Sequence, residues 1–115
     1  MTSQDEIEQF LKNFKLKLSV FDVAYVGRAK NTQTLLDLEM VPSMRTGILK
    51  KLETVDYCEG PLEETFHGAG NMWVFGKKMN GVEFYIKIAM GIPNQKTICI
   101  SFHVAEQPLQ YPYKV

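Results

Sequence analysis

Asn80-Gly81 sits between two strand-like runs, Met72 to Met79 and Val82 to Met90. Asn-Gly in that setting specifies a two-residue type I′ hairpin turn, because both central positions need positive φ. The turn commits the last third of the chain to antiparallel strands. It also pairs them, setting Val74 beside Lys87, Gly76 beside Tyr85 and Lys78 beside Glu83. A second connection, Gly91-Ile92-Pro93-Asn94-Gln95, leads to a third strand, Thr97 to Val104. A turn centred near Pro93-Asn94 puts Tyr85 opposite His103 and Lys87 opposite Ser101.

Side chains alternate across a strand, so parity sorts these residues into two faces. Val82, Phe84, Ile86, Ile88 and Met90 are all apolar and must face the core. Ile98, Ile100, Phe102 and Val104 join them, and Trp73 and Phe75 turn the same way. The other face then carries Lys78, Glu83, Tyr85, Lys87, Ser101 and His103, with Gly76 and Cys99 as its low points.

The first half reads as helical. Ser3 and Glu6 form a capping-box pattern, and Ile7, Phe10, Leu11, Phe14 and Leu18 follow at helical spacing. This predicts an amphipathic helix over 4–18. Val20 to Val26 reads as a short strand, and Gly27-Arg28-Ala29-Lys30 as a basic loop. Asn31 suits the cap of a helix through about Glu39. Pro42 opens another, with Met44, Ile48, Leu49 and Leu52 as its apolar face. Thr54 to Glu59 is a weak strand ended by Gly60-Pro61, and 61–70 read as loop. Pro108 and Pro112 make 106–115 an extended tail. The order α-β-α-α-β-β-β-β describes an α+β fold, an antiparallel sheet with the N-terminal helices packed on one face.

A chain of 115 residues suits a single domain over 1–115. Thirteen Lys and Arg balance thirteen Asp and Glu. That argues against a protein that grips nucleic acid by bulk electrostatics, but says nothing of local patches. Cys58 and Cys99 are too few for a disulfide scaffold and lack metal-ligand spacing. The polar, acidic N-terminus is unlike a signal peptide, and no apolar run approaches the ~20 residues that span a bilayer. A cytoplasmic protein with no membrane partner is expected.

The polar sheet face has chemical potential. Histidine titrates near neutrality and exchanges protons. Lysine stabilises developing negative charge, and a tyrosine hydroxyl orients a phosphate. Together they suit acid–base chemistry on a phosphodiester. An antiparallel sheet also commonly has a solvated face on which Lys, Glu and Tyr are routine. The face alone does not choose between these.

Four segments in order narrow the choice: Asp56-Tyr57-Cys58-Glu59-Gly60-Pro61, Trp73-Val74-Phe75-Gly76-Lys77, Tyr85-Ile86-Lys87 and Ile100-Ser101-Phe102-His103. Across residues 6 to 105 the chain resembles the motility quorum-sensing regulator (MqsR-like) family of toxins, whose fold is related to the RelE-type mRNA interferases. The resemblance implies the toxin of a type II toxin–antitoxin pair. Such a toxin is a metal-independent mRNA endoribonuclease with no cofactor, silenced by a cognate antitoxin. By position it assigns Tyr85 to hold the phosphate and Lys87 to stabilise its charge. His103 stands where the founding member has lysine, and would act as acid or base.

Two positions depart from the family pattern. Glu59 replaces a lysine and reads either as a general base or as a surface charge. Val74 replaces a glutamine, which bears on activity or substrate preference. Lys78, Arg28 and Lys30 are candidates for RNA contact, with Arg45 weighed beside them; solvated charge near helix ends is the plainer reading of the last three. His67 reads as a surface loop residue. Tyr111-Pro112-Tyr113 suits either a sheet edge or a partner. mRNA, the antitoxin and the ribosome are the expected partners. A non-catalytic protein-binding module on the same scaffold is the alternative, and a small-molecule enzyme would need an enclosed pocket over Tyr85 and His103.

Overall fold

In the computed structural model, which describes residues 2–63 and 70–114, the capping box at Ser3 is formed. The Ser3 hydroxyl accepts the Glu6 N–H at 3.2 Å, and the Glu6 carboxylate accepts the Ser3 N–H at 3.2 Å. Helix α1 runs Gln4–Phe21, a turn beyond expectation. Its buried stripe ends at Leu18. The extra turn carries the chain past that residue before Asp22, at φ 71, reverses it. Val20 is consequently helical and 65% exposed, and β1 shrinks to Val23–Tyr25.

The sheet contains β2 (Tyr57–Leu62), β3 (Met72–Met79), β4 (Val82–Ala89) and β5 (Thr97–Val104) beside β1, in the order β1-β5-β4-β3-β2. The last four pair antiparallel, but β1 lies parallel to β5, with Val23 opposite Thr97 and Tyr25 opposite Cys99. The sheet is therefore mixed, which corrects the purely antiparallel expectation. A parallel neighbour leaves no local turn signature, because its connection spans most of the chain. Among the described residues the fold is α+β, with three α-helices and a five-stranded mixed sheet.

Strand β2 continues through Gly60-Pro61 instead of ending there. As the edge strand, it needs no ladder bond on its outer side, so proline is tolerated. A Cβ on Gly60 would lie 2.9 Å from the Met72 carbonyl oxygen, at a φ of 126 that favours glycine. The loop expected over 61–70 falls mostly on residues 64–69. His67 thus lies outside the described residues.

Helix α2 (Ala29–Asp37) begins before Asn31, so Asn31 is not its cap. The Asn31 side chain, 3% exposed, serves β5 instead. Its Nδ2 donates to the carbonyls of Val26 and Ile100 (3.1 and 3.2 Å), and its Oδ1 accepts the Phe102 N–H at 2.9 Å. Thr34 accepts the Val104 N–H at 3.2 Å. Where β1 ends, α2 side chains thus satisfy backbone groups on the edge of β5. This places α2 along a sheet edge, while α1 and α3 (Ser43–Lys50) cover the core face.

On that face Ile7, Phe10, Phe14 and Leu49 meet Trp73, Phe75, Ile86 and Phe102. Phe10 stacks on Trp73 with ring centroids 4.5 Å apart. Met44, expected inside, is 49% exposed. Arg45 is buried instead, its guanidinium 3.8 Å above the Tyr25 ring. Arg45 is therefore not a candidate for phosphate contact.

A bulge in β5 changes the parity argument. Lys87 pairs with Ser101, but Ile88 pairs with Cys99, which leaves Ile100 as the extra residue. One inserted residue flips every side chain beyond it. Cys99 therefore turns into the main core beside Ile88. Ile98 and Ile100 move to the opposite face and cluster with Ala89, Met72 and Val26. The polar face is thus closed at that end by an apolar patch. Among the described residues, no helix is long and apolar enough to cross a membrane.

Candidate active site

Above the bulge, the turn-derived register holds. Tyr85 lies opposite His103 and Lys87 opposite Ser101. The Tyr85 and His103 rings stack with centroids 5.1 Å apart and planes 14° from parallel. Lys87 Nζ is 5.8 Å from the Tyr85 ring centroid. His103 Nδ1 lies 2.9 Å from the Val104 carbonyl oxygen. A carbonyl only accepts, so Nδ1 is the donor in this contact and Nε2 is the ring nitrogen left for a substrate.

These residues floor a cleft of about 460 Å³, open on its outer side. Arg28 and Lys30 line it where the chain enters α2. Arg28 Nη1 donates to the Ser101 hydroxyl at 2.8 Å, and Ser101 itself is only 1% exposed. Lys30 forms an ion pair with Glu106, both side chains lying at the surface. The hydrogen bond to Lys30 is the main cause holding the Glu106 carboxyl below its usual range.

Burial raises the Tyr85 phenol, with the Glu59 charge adding to it and Arg28 opposing. Burial lowers the Lys87 ammonium; repulsion from Arg28 adds to this, and Glu59 opposes it. Lys87 therefore gives up its proton more readily than a free lysine. Cys58 is no thiolate nucleophile at neutral pH, because burial and then the Glu83 charge push it up to about 12.

Tyr85, Lys87, His103, Arg28 and Lys30 are brought together. Two other candidates are not. Glu59 is exposed on β2 and pairs with Val74, which pairs in turn with Lys87. Two strand spacings, about 10 Å, separate the Glu59 and Lys87 backbones. It acts on the cleft through its field and does not line it. Val74, 1% exposed, fills the row between them. Lys78 is exposed near the hairpin tip opposite Glu83, also away from the cleft.

Parity could not disclose the cleft's far wall. Residues 106–109 form it, because the C-terminal segment folds back over the sheet. The Glu83 carboxylate accepts the Leu109 N–H at 3.1 Å and the Tyr111 hydroxyl at 2.7 Å. The Tyr111 hydroxyl lies over Gly76. Tyr113 reaches the Thr2 carbonyl and packs on Tyr57. The small residue at 76 is the one sequence signal of this docking.

Among the described residues, no group of three or more His, Cys, Asp or Glu is arranged to hold a metal ion. The fold and cleft define a class: an α+β protein whose sheet carries a histidine-bearing, cation-lined cleft. No protein-family model, curated protein or solved structure matches the chain.

Proposed function

We propose that this cleft cleaves RNA, and that the protein is a toxin of the MqsR-like kind with a RelE-type arrangement, acting on mRNA in the cytoplasm and silenced by a cognate antitoxin. The observation that carries this reading is the gathering of His103, Lys87 and Arg28 in one cleft. His103 Nδ1 is taken up by the Val104 carbonyl, which leaves Nε2 for the substrate in the cleft it shares with Lys87 and Arg28. A proton acceptor beside two cations suits transesterification of a phosphodiester.

In this reaction the substrate 2′-OH attacks the adjacent phosphorus and the bond to the 5′-oxygen breaks. The products are a 2′,3′-cyclic phosphate and a 5′-OH. His103 Nε2 takes the 2′-OH proton. Arg28 and Lys87 hold the non-bridging oxygens as negative charge grows. Lys87, whose proton affinity burial lowers, gives the proton to the leaving 5′-oxygen. The Tyr85 hydroxyl orients the phosphate. The chemistry calls on side chains alone and needs no cofactor.

The test is incubation of pure protein with mixed-sequence RNA and EDTA, alone and with ribosomes, beside a growth assay on induced expression. Cleavage is expected, with His103→Ala slowing it by about 10²–10⁴-fold. No cleavage under either condition, together with normal growth, would refute the proposal.

A groove of about 230 Å³ favours the second reading, a protein-binding module. Leu38, Met40, Met44, Ile48, Met79 and Val82 line it, and Met44 and Met79 are 49% and 36% exposed. Exposed methionines adapt to partner surfaces. An RNA-inert chain whose partner binding is lost on Met44→Ala would select that reading.

A further inference from the structure

We propose that Ser101 is a positioning residue that aims the Arg28 guanidinium into the cleft beside Lys87, making one two-cation grip for a single phosphate. The inference rests on the RNA-cleavage reading for its substrate, while the grip itself rests on geometry.

Ser101 faces Lys87 directly across β4 and β5. At 1% exposure it lies too deep to meet a nucleic acid itself. Its hydroxyl instead accepts from Arg28 Nη1 at 2.8 Å, across 73 residues of sequence. That bond uses one of the five guanidinium N–H groups, so the fork keeps donors for phosphate oxygens.

The backbone around Arg28 is fixed too. Its N–H bonds the Val26 carbonyl at 3.1 Å. Asn31, three residues on, ties the same Val26 carbonyl to β5 through Ile100 and Phe102. Arg28 therefore leaves a clamped loop and ends on a buried hydroxyl next to Lys87. The repulsion it exerts on Lys87 fits that closeness. Two like charges held together without a bridging anion are unfavourable, and a phosphate between them relieves the repulsion. The anchored arginine is thus set before substrate arrives, the condition under which electrostatic stabilisation is most effective.

The experiment compares wild type, Ser101→Ala, Ser101→Thr, Arg28→Ala and the Ser101→Ala/Arg28→Ala double variant. RNA cleavage gives kcat and KM, and NMR of labelled lysine follows the Lys87 titration. Ser101→Ala should lower kcat/KM about ten- to hundredfold, the range for a hydrogen bond to a charged group. Ser101→Thr, which keeps the hydroxyl, should recover most of it. The double variant should be no worse than Arg28→Ala, because Ser101 acts only through that residue. Lys87 should titrate higher in both Ser101→Ala and Arg28→Ala. Additive losses, or a Lys87 titration unmoved by Ser101→Ala, would overturn the proposal. If wild type cleaves no RNA while Lys87 shifts as described, the RNA reading falls and the positioning of Arg28 by Ser101 stands.

Discussion

Replacing Gly76 with alanine should release the C-terminal segment from the sheet. An added Cβ would lie 2.3 Å from the Tyr111 hydroxyl and 2.6 Å from Leu109 Cδ1, inside van der Waals contact with both. Gly76 lies within β3, whose backbone is paired on both sides, whereas Leu109 and Tyr111 lie outside the sheet strands and are held by the Glu83 carboxylate. The tail should therefore yield. The loss is capped at its docking free energy. That comprises the Tyr111 and Leu109 bonds to Glu83 and the burial of Leu109, less the freedom the tail regains. The net is about 1–3 kcal/mol, because the separated groups find water. At about 4 °C per kcal/mol for a domain of this size, Tm should fall by about 4–12 °C. Hydrogen exchange should show the Leu109 and Ala105 amides losing protection. In a Leu109→Ala/Tyr111→Ala background the clash has no partner, so Gly76→Ala should cost under about 0.5 kcal/mol. An equal loss in that background would refute the reasoning, because the strain would then lie within β3.

Asn31→Ala should destabilise by about 2–5 kcal/mol in urea melts, since it strands the Ile100 carbonyl and Phe102 N–H on a buried strand edge. Glu106→Gln should free Lys30 from its ion pair, tightening RNA binding and steepening the logarithmic salt slope by about 0.7, the share of one phosphate on a single strand. The Tyr25 phenol is raised from 10.0 to about 12, first by burial. Its folded pKa exceeds the unfolded value, so its contribution is complete below pH 10 and lost as pH climbs towards 12. Tyr25→Phe should flatten the fall in stability across that window in urea melts; identical slopes would exclude Tyr25 as its source.

How far the sequence reached depended on the range of each interaction. Asn80-Gly81 and the alternation around it specify the hairpin because φ preferences and side-chain parity act within a few residues. They set Gly76 beside Tyr85, and the next turn set Tyr85 beside His103, so the centre of the cleft was legible. One inserted residue ended that reach. Nothing near Ile100 announces a bulge, and beyond it Cys99 and Ile98 exchange faces. The parallel place of Val23–Tyr25 was equally hidden, because its partner strand lies at the far end of the chain. Asn31 has a cap's chemistry, yet its amide is used by β5 some seventy residues on. The tail wall is the clearest case of what tertiary structure alone decided. Glu83, Leu109 and Tyr111 show no mutual pattern in sequence. They meet because Gly76 leaves room for the returning chain, and a close approach between distant segments exists only once both are folded.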